Sequence, residues 1–426
     1  MKVKDRISLI VPWGPIGGIF FCVIILLCGM FPGEVLAEGR TEEPGELHAL
    51  SATLLDGDTG RVLYGKEDEV KRANASTTKI LTCILALEQC DLDEMVDVSA
   101  YAASMPNVQL GIEEGECYAM KDLLYSLMLE SHNDVAVAVA EHMGGNVESF
   151  AVMMNEKAKE IGCQNTQFFT PNGLDYKDGE NFHGTTSTDL AKIMSYCVWQ
   201  SPKREEFLTI TQTRQYSFTN YEKKKNGEYT MGNRNFQCGN HNSYLNQNPQ
   251  CISGKTGFTG EAGYCYVGAV ESEGRHFVVA LLGCGWPNNK NYKWEDCNRL
   301  FLYGTNHFHF RKIPDFSREL EDVTLLEGAN KSYSFGQEMK LSPFVEHCTG
   351  KVLLADWETL DITTKYPKEF VANKKGEVSI GYLQVSVGNH RIMKRKIRVE
   401  CPVPKRNLAW YFQGIMQVWS ICSVGN

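Results

Sequence analysis

Apolar positions along residues 47–310 recur sometimes at helical and sometimes at strand spacing, with many turn residues between them. Residues 80–87 are apolar on nearly every face, which predicts a buried helix. Residues 120–129 and 134–143 predict two further helices, and residues 266–270 predict a strand. This mixture predicts an α/β domain in the first two thirds of the chain.

Residues 311–403 show a different pattern, in which short stretches alternate apolar and polar residues. The alternation runs through residues 378–382, changes phase in residues 383–387, and is followed by the turn residue Gly388. Short strands separated by Gly and Asn turns predict a small all-β domain, which ends at Pro402.

The N-terminus carries a short basic region, followed by an apolar stretch that is densest over residues 16–30. Val35, Leu36 and Ala37 follow and supply a plausible cleavage point after Ala37. This arrangement predicts a secretory signal peptide over residues 1–37, with an uncleaved membrane anchor as the alternative. Either way, the remaining chain is expected outside the cytoplasm.

The C-terminal segment, residues 404–426, contains a stretch from 407 to 421 without a charged residue. Its apolar residues recur at helical spacing, but about 15 residues are too few to cross a hydrocarbon core of about 30 Å. We expect an amphipathic helix lying in a membrane interface, with Trp410 and Trp419 as interfacial aromatic residues. The two basic residues before it would suit anionic headgroups. A helix packed on the protein's own surface is the alternative.

The composition limits the kinds of protein that this chain can be. A hydrophobic content of 43% and a charged content of 22% are those of a globular protein. A net charge of −9 argues against a nucleic-acid-binding protein, which normally has a basic surface. The chain has 15 cysteines, two of them in the signal segment, and they show no paired zinc pattern. We interpret most of them as small buried hydrophobic residues, with a disulfide framework as the alternative.

Three short motifs in the first domain combine residues that can carry chemistry. Ser76 stands three residues before Lys79 at the start of the predicted buried helix, so both share one helix face. A serine hydroxyl becomes a good nucleophile when a nearby base takes its proton, and a neutral lysine one turn away can be that base. Ser131 and Asn133 lie between two predicted helices, from where both could project into a cleft.

The third motif is Lys255-Thr256-Gly257, which precedes the predicted strand. A lysine and a hydroxyl on a strand edge can bind a carboxylate, and Gly257 would let a ligand approach the backbone. No metal or cofactor is expected, because His307 and His309 are two residues apart and no H-E-x-x-H pattern occurs.

The order and context of these motifs resemble the signature S-x-x-K, S-x-N and K-T-G of the penicillin-binding and serine β-lactamase superfamily. Residues 170–175 and 187–191, together with Tyr303 and Gly304, resemble one branch of it. That branch is the low-molecular-mass penicillin-binding proteins with D-alanyl-D-alanine carboxypeptidase activity. The resemblance implies an α/β (α+β) catalytic domain, with an antiparallel sheet, a helical cluster and the active site between them.

The resemblance also implies a role for each motif residue. Ser76 would be the acylated nucleophile, Lys79 the proton acceptor, and Ser131 the relay that passes a proton to the leaving D-alanine. Asn133 would position the substrate backbone. His132 stands where glycine is frequent in the family, but it contributes mainly backbone there.

The remaining implied roles concern recognition and charge stabilisation. Lys255 and Thr256, beside Gly257, would bind the terminal carboxylate of the substrate. The backbone N–H groups of Ser76 and Phe258 would form the oxyanion hole.

The expected reaction removes the last D-alanine from peptidoglycan stem peptides ending in D-Ala-D-Ala, and β-lactams are expected to be covalent inhibitors. The expected location is the outer face of the bacterial cytoplasmic membrane. A serine β-lactamase is one alternative, although no E-x-x-L-N pattern occurs. An endopeptidase that cuts peptide crosslinks and an inactive wall-binding protein are the others.

Overall fold

The computed structural model describes residues 43–423, except 315–319, 334–337, 346–349 and 372. The predicted signal peptide, residues 1–37, lies outside the described residues.

The first part of the described chain, residues 43–307, mixes strands and helices. Its strands are β1 (Ser51–Asp56), β2 (Val62–Lys66), β3 (Met95–Asp97), β4 (Glu116–Ala119), β5 (Lys177–Asp178), β6 (Asn181–Phe182), β7 (Gln215–Lys223), β8 (Tyr229–Gly239), β9 (Cys251–Thr259), β10 (Gly263–Ser272) and β11 (Arg275–Leu282). Its α-helices are α1 (Lys79–Gln89), α2 (Ala100–Ala103), α3 (Met120–Leu129), α4 (Asn133–Gly144), α5 (Val147–Ile161), α6 (Ser187–Ser195), α7 (Arg204–Gln212), α8 (Tyr244–Gln247) and α9 (Tyr292–His307). A 3₁₀ turn (Ala75–Thr78) leads into α1, and a π-helical segment (Tyr196–Gln200) follows α6.

The main sheet of this part runs β2-β1-β11-β10-β9, and every neighbouring pair is antiparallel. Both faces of this sheet are covered by other elements. Successive side chains on a strand point to opposite sides, so neighbouring residues pack against different elements. On β11, Val278 and Ala280 pack against the helical cluster that contains α1 and α3 to α7. Phe277 and Val279 face the other way and pack against α9. The predicted antiparallel sheet with a helical cluster is confirmed.

A second antiparallel sheet, ordered β3-β4-β7-β8, flanks the helical cluster. Its long β7–β8 hairpin has mostly exposed or half-buried side chains, with Phe218 turned inward against Tyr118. This sheet was not predicted from the sequence. Its strands carry many polar residues, so they lack the apolar run that marks a buried strand.

The later part of the described chain is built from strands until its last helix. The strands are β12 (Phe308–Lys312), β13 (Val323–Leu326), β14 (Met339–Leu341), β15 (Phe344–Val345), β16 (Lys351–Ala355), β17 (Asp361–Lys365), β18 (Glu369–Val371), β19 (Gly376–Val387) and β20 (His390–Cys401), and the helix is α10 (Leu408–Ser423). Among the described residues the strands pair as β12-β16, β14-β13-β18 and β15-β20-β19-β17. The all-β character expected of this region is confirmed.

The β19–β20 hairpin explains the change of phase seen in the sequence. The pairing register shifts between Ser379 and Gly381, which leaves Ile380 as an extra residue in β19. After this bulge the buried face passes to Leu383 and Val385. Gly388 closes the hairpin with a φ of +51°, a conformation in which glycine is favoured.

The two parts are joined without an intervening loop, because α9 ends at His307 and β12 begins at Phe308. An ion pair also crosses the junction, with Arg61 Nη1 2.5 Å from Glu358 Oε1. Arg61 is 5% exposed and donates a second hydrogen bond to the carbonyl of Leu353 at 2.6 Å. These contacts hold the β-rich part against the main sheet.

The last helix, α10, has an exposed apolar face. The residues on it are Leu408, Tyr411, Phe412, Ile415, Met416, Val418 and Trp419. Trp410 is buried instead, and its indole donates to the carbonyl of Asn330 at 2.8 Å. The expectation that Trp410 is an interfacial residue is therefore wrong, because its indole docks the helix onto the β-rich part. No helix among the described residues is both long and apolar enough to pass through a bilayer.

Candidate active site

Ser76 lies in the 3₁₀ turn that leads into α1, below the edge strand β9 of the main sheet. The preceding residue, Ala75, has a φ of +47°, a left-handed conformation that non-glycine residues adopt at a cost. The turn is fixed by Thr78, whose hydroxyl donates to the carbonyl of Ala75 and contacts His183 Nε2 at 2.9 Å. The hydroxyl of Ser76 is thus presented from a rigid turn.

Lys79 is fully buried, and its amine reaches three oxygen acceptors. Its Nζ lies 2.8 Å from Ser76 Oγ, 2.8 Å from Asn133 Oδ1 and 2.9 Å from the carbonyl oxygen of Asn172. Burial lowers the pKa of Lys79 well below its ordinary value, and the positive charge of Lys255 lowers it further. A neutral amine could keep two donated bonds and aim its lone pair at the Ser76 hydroxyl.

The contact with Asn172 was not predicted. The loop that carries it approaches Ala75 very closely, since a Cβ on Gly173 would lie 1.9 Å from the Ala75 carbonyl oxygen. Gly173 also has a φ of +82°. The segment 170–175 stood out in the sequence only as a resemblance, because a backbone carbonyl leaves no signature in residue types.

The S-x-N motif lies where α3 gives way to α4. Ser131 has a φ of +74°, and its Oγ is buried without a hydrogen-bond partner among the described residues. Asn133 is the first residue of α4 and donates from Nδ2 to the carbonyl of Pro106 at 3.2 Å. Its Oδ1 is thereby aimed at Lys79. The strained backbone and buried hydroxyl of Ser131 are features that cluster at functional sites.

His132, between them, is buried and has a structural contact. Its Nδ1 lies 2.7 Å from Ser126 Oγ. Burial lowers the pKa of His132 to about 4, so the ring is neutral at neutral pH. The imidazole therefore acts as a packed polar residue behind the motif.

Asp134, which was not predicted as a site residue from the sequence, lies near the buried lysine. Its carboxylate accepts backbone N–H bonds from Leu110, Gly111 and Ile112 at 2.8 to 3.2 Å. It raises the pKa of Lys79 and so opposes part of the effect of burial. Asp134 therefore orders the 110–112 loop and partly offsets the lowering of the Lys79 pKa.

The third motif forms part of β9, whose other edge is unpaired in the main sheet. Residues 255–257 pair with β10, with Thr256 opposite Tyr266. A Cβ on Gly257 would lie 2.9 Å from the backbone nitrogen of Ser76. Gly257 therefore permits the strand to pass directly over the N–H of Ser76, where a side chain would block it.

Lys255 is buried, and its Nζ donates to the carbonyl of Thr256 at 3.0 Å. Burial lowers the pKa of Lys255 to about 7, and the carboxylate of Glu130 acts in the opposite direction. Lys255 thus titrates near neutral pH instead of staying charged like an exposed lysine. An anion that enters the cleft would favour the charged form.

The three motifs border one cleft with a volume of about 560 Å³. Its lining residues are Ser76, Val108, Glu130, Ser131, His241, Ser243, Gln247, Thr256, Gly257, Phe258, Tyr264, Lys290, Asn291, Lys293 and Trp294. This volume suits a short peptide or a drug-sized molecule. Among the described residues, the one trio of Cys, His and acidic side chains close enough to hold a metal is Cys90, Glu94 and His142, which do not line this cleft.

In this arrangement the hydroxyl of Ser76 can give its proton to the buried amine of Lys79. The backbone N–H of Ser76 and the edge of β9 that carries Lys255 lie beside them.

The sequence model of the D-alanyl-D-alanine carboxypeptidase family matches residues 38–284. The chain belongs to this family. It is a family of serine hydrolases, and the predicted resemblance is confirmed.

Two relatives show how far the similarity extends. D-alanyl-D-alanine carboxypeptidase DacF of Bacillus subtilis is 34% identical over 258 residues, which are 59% of this chain and 61% of the relative. The chain thus spans about three fifths of that relative's length. DacB2 of Mycobacterium tuberculosis is 31% identical over 252 residues, covering 59% of this chain and 80% of the relative.

The fold has counterparts among solved structures. Penicillin binding protein 5 from Haemophilus influenzae superposes with a TM-score of 0.64 at 21% identity, covering 85% of this chain and all of that chain. The superposition extends beyond the family-matched residues 38–284 into the β-rich part of the chain.

Proposed function

We propose that this chain is a serine-type D-Ala-D-Ala carboxypeptidase, in which Ser76 is the nucleophile and Lys79 its base. The observation that carries the proposal is the position of Lys79, with its amine 2.8 Å from Ser76 Oγ in a fully buried site. Asn133 and the carbonyl of Asn172 hold the amine there. Burial lowers the pKa of Lys79 and so favours the neutral form, which a base requires.

In the acylation step, the Ser76 hydroxyl gives its proton to Lys79 and its oxygen bonds to the carbonyl carbon of the penultimate D-alanine. The N–H groups of Ser76 and Phe258 would stabilise the resulting oxyanion. The carbon–nitrogen bond then breaks, and the proton passes to the departing nitrogen of the terminal D-alanine. Ser131 is the proposed relay, because its buried hydroxyl has no other partner among the described residues.

Water completes the reaction by attacking the ester at Ser76. Lys79 takes a proton from the water as the new bond forms, and the Ser76 oxygen leaves with a proton. The products are the shortened stem peptide and the free enzyme. The same acyl-enzyme would form with a β-lactam, whose ring opens but leaves no fragment to depart.

Recognition of the free C-terminus is assigned to Lys255 and Thr256, with Gly257 giving the ligand access to the strand edge. A lysine ammonium and a hydroxyl complement a carboxylate. Asn133 would also hold the substrate backbone through its side-chain amide.

We also propose the wider arrangement of the chain. The catalytic domain spans residues 47–310, a β-rich domain spans 311–403, and residues 404–426 form the membrane-associating segment. The exposed apolar face of α10 supports a helix lying in the interface at the outer face of the cytoplasmic membrane. The predicted signal peptide and the cell-wall setting of the relatives support export.

Labelling with a fluorescent penicillin tests the proposed nucleophile. The native chain should form a stable ester, and Ser76→Ala should abolish it without lowering the melting temperature much, because Ser76 is only half-buried. Ser149→Ala is the control, because Ser149 is an exposed serine of α5 outside the cleft lining. A peptide map that places the adduct on a serine other than Ser76 would refute the assignment, and an unlabelled native chain would favour the inactive wall-binding alternative.

A further inference from the structure

Three side chains of types that bind metals converge at the end of the helical cluster where α1 and α4 end. Cys90 is the residue that caps the C-terminus of α1, Glu94 lies between α1 and β3, and His142 lies in the last turn of α4. One ligand atom of each lies within 4.8 Å of the other two. His142 Nε2 and Glu94 Oε1 are 3.2 Å apart.

We propose that Cys90, Glu94 and His142 bind a zinc ion that has a structural role. Thiolate, imidazole and carboxylate are the protein ligands that zinc takes, at bond lengths of about 2.0–2.3 Å. Tetrahedral geometry at these lengths separates the ligand atoms by about 3.3–3.8 Å. The cluster therefore needs only small side-chain movements to close around an ion.

The backbone that carries the three ligands is already fixed. The N–H of Cys90 donates to the carbonyl of Ala86 at 2.9 Å, and the carbonyl of Glu94 accepts the N–H of Met120 at 2.8 Å. The side chains of Glu94 and His142 are 44% and 22% exposed. An ion can thus enter from solvent, and water can take the fourth position.

The local field favours a cation at this point. Both α1 and α4 end here, and the C-terminus of a helix carries a partial negative charge. Neither helix has a lysine or arginine in its last turn. Charge from the Glu94 carboxylate and from the Cys90 thiolate would add to the two helix ends.

The site would join the same two helices that meet in the cleft. Helix α1 begins at Lys79 and α4 begins at Asn133, and these two side chains are joined by the 2.8 Å hydrogen bond at the catalytic end. Helix α1 has 11 residues, which span about 16 Å. A zinc ion bound to Cys90 and His142 would fasten the helices at their far ends and keep their catalytic ends in register.

Metal titration of the full chain, kept reduced with a phosphine, tests the proposal. Cobalt should bind with one equivalent and give a sulfur-to-metal charge-transfer band, and zinc should displace it. The band should be lost in Cys90→Ser, and His142→Gln should weaken binding by about tenfold or more. Zinc should raise the melting temperature of the native chain but not that of Cys90→Ser.

Two control variants should bind metal as the native chain does. Cys163→Ser removes a buried cysteine outside the cluster, and His48→Gln breaks a His–Glu pair with the same 3.2 Å separation that belongs to no such trio among the described residues. The proposal is wrong if the native chain shows no charge-transfer band, or if the band survives in Cys90→Ser. Absorbance and melting do not depend on Ser76, so this result is independent of the proposed catalytic function.

Discussion

Lys255 offers the sharpest test of the proposed recognition of a free C-terminus. Replacing it by alanine removes one hydrogen bond to a charged group, which typically costs about 1.5–3 kcal/mol. That is roughly a ten- to hundredfold loss in kcat/KM on a peptide ending in D-Ala-D-Ala. On the same peptide with an amide-capped C-terminus the loss should be much smaller, because the carboxylate is already missing.

The environment of Lys255 adds a pH dependence to this effect. Its pKa is lowered to about 7, so the charged fraction falls from about 0.9 at about pH 6 to about 0.1 at about pH 8. The carboxylate needs the charged form, so the preference for the free over the capped peptide should fall about tenfold over this range. Taking the ratio of the two substrates cancels the titration of Lys79, which acts on both.

The assay measures kcat/KM for both peptides, at both pH values, on the native chain and on Lys255→Ala. Lys290→Ala is the matched control, since Lys290 is a lysine of the cleft lining that has no assigned role. Melting curves separate lost recognition from lost folding. Equal losses on free and capped peptides, or a native preference that does not change with pH, would show that Lys255 does not bind the carboxylate.

Two further predictions concern the backbone near the site and the end of the chain. Gly173→Ala should lower the free energy of unfolding by about 2–5 kcal/mol and slow acylation by penicillin, because its Cβ would meet the Ala75 carbonyl. Gly227→Ala is the control, because Gly227 has a φ of +86° and open space around it. Equal melting temperatures for the two variants would refute the clash. Deleting residues 405–426 should move the mature protein from the membrane to the soluble fraction, and retention on the membrane would show another attachment.

Part of the proposed site could be predicted from the sequence, because the grouping of its residues depends on residue types at short spacings. The three-residue interval between Ser76 and Lys79 places both on one face at the start of α1. The helices predicted over 120–129 and 134–143 agree with α3 and α4, because their apolar periodicity is long and regular.

What could not be predicted depends on contacts between distant segments. The carbonyl of Asn172 reaches Lys79 across 93 positions, and a carbonyl is present in every residue. The buried carboxylate of Asp134 has its partners more than 20 positions away in residues 110–112. For Trp410, the apolar helix pattern did not distinguish a lipid-facing side chain from one docked on Asn330.

The cysteines have a consequence for how the folded protein reacts with thiol reagents. Among the described residues from Cys83 to Cys401 every cysteine is a free thiol, and all but Cys90 are buried. Burial raises the pKa of Cys265 to about 12 and that of Cys251 to about 11, and the thiolate is the form that exchanges. In the folded protein, thiol–disulfide exchange at these buried cysteines should therefore be slow even in oxidising surroundings, and a thiol reagent should react with them only as fast as the structure opens.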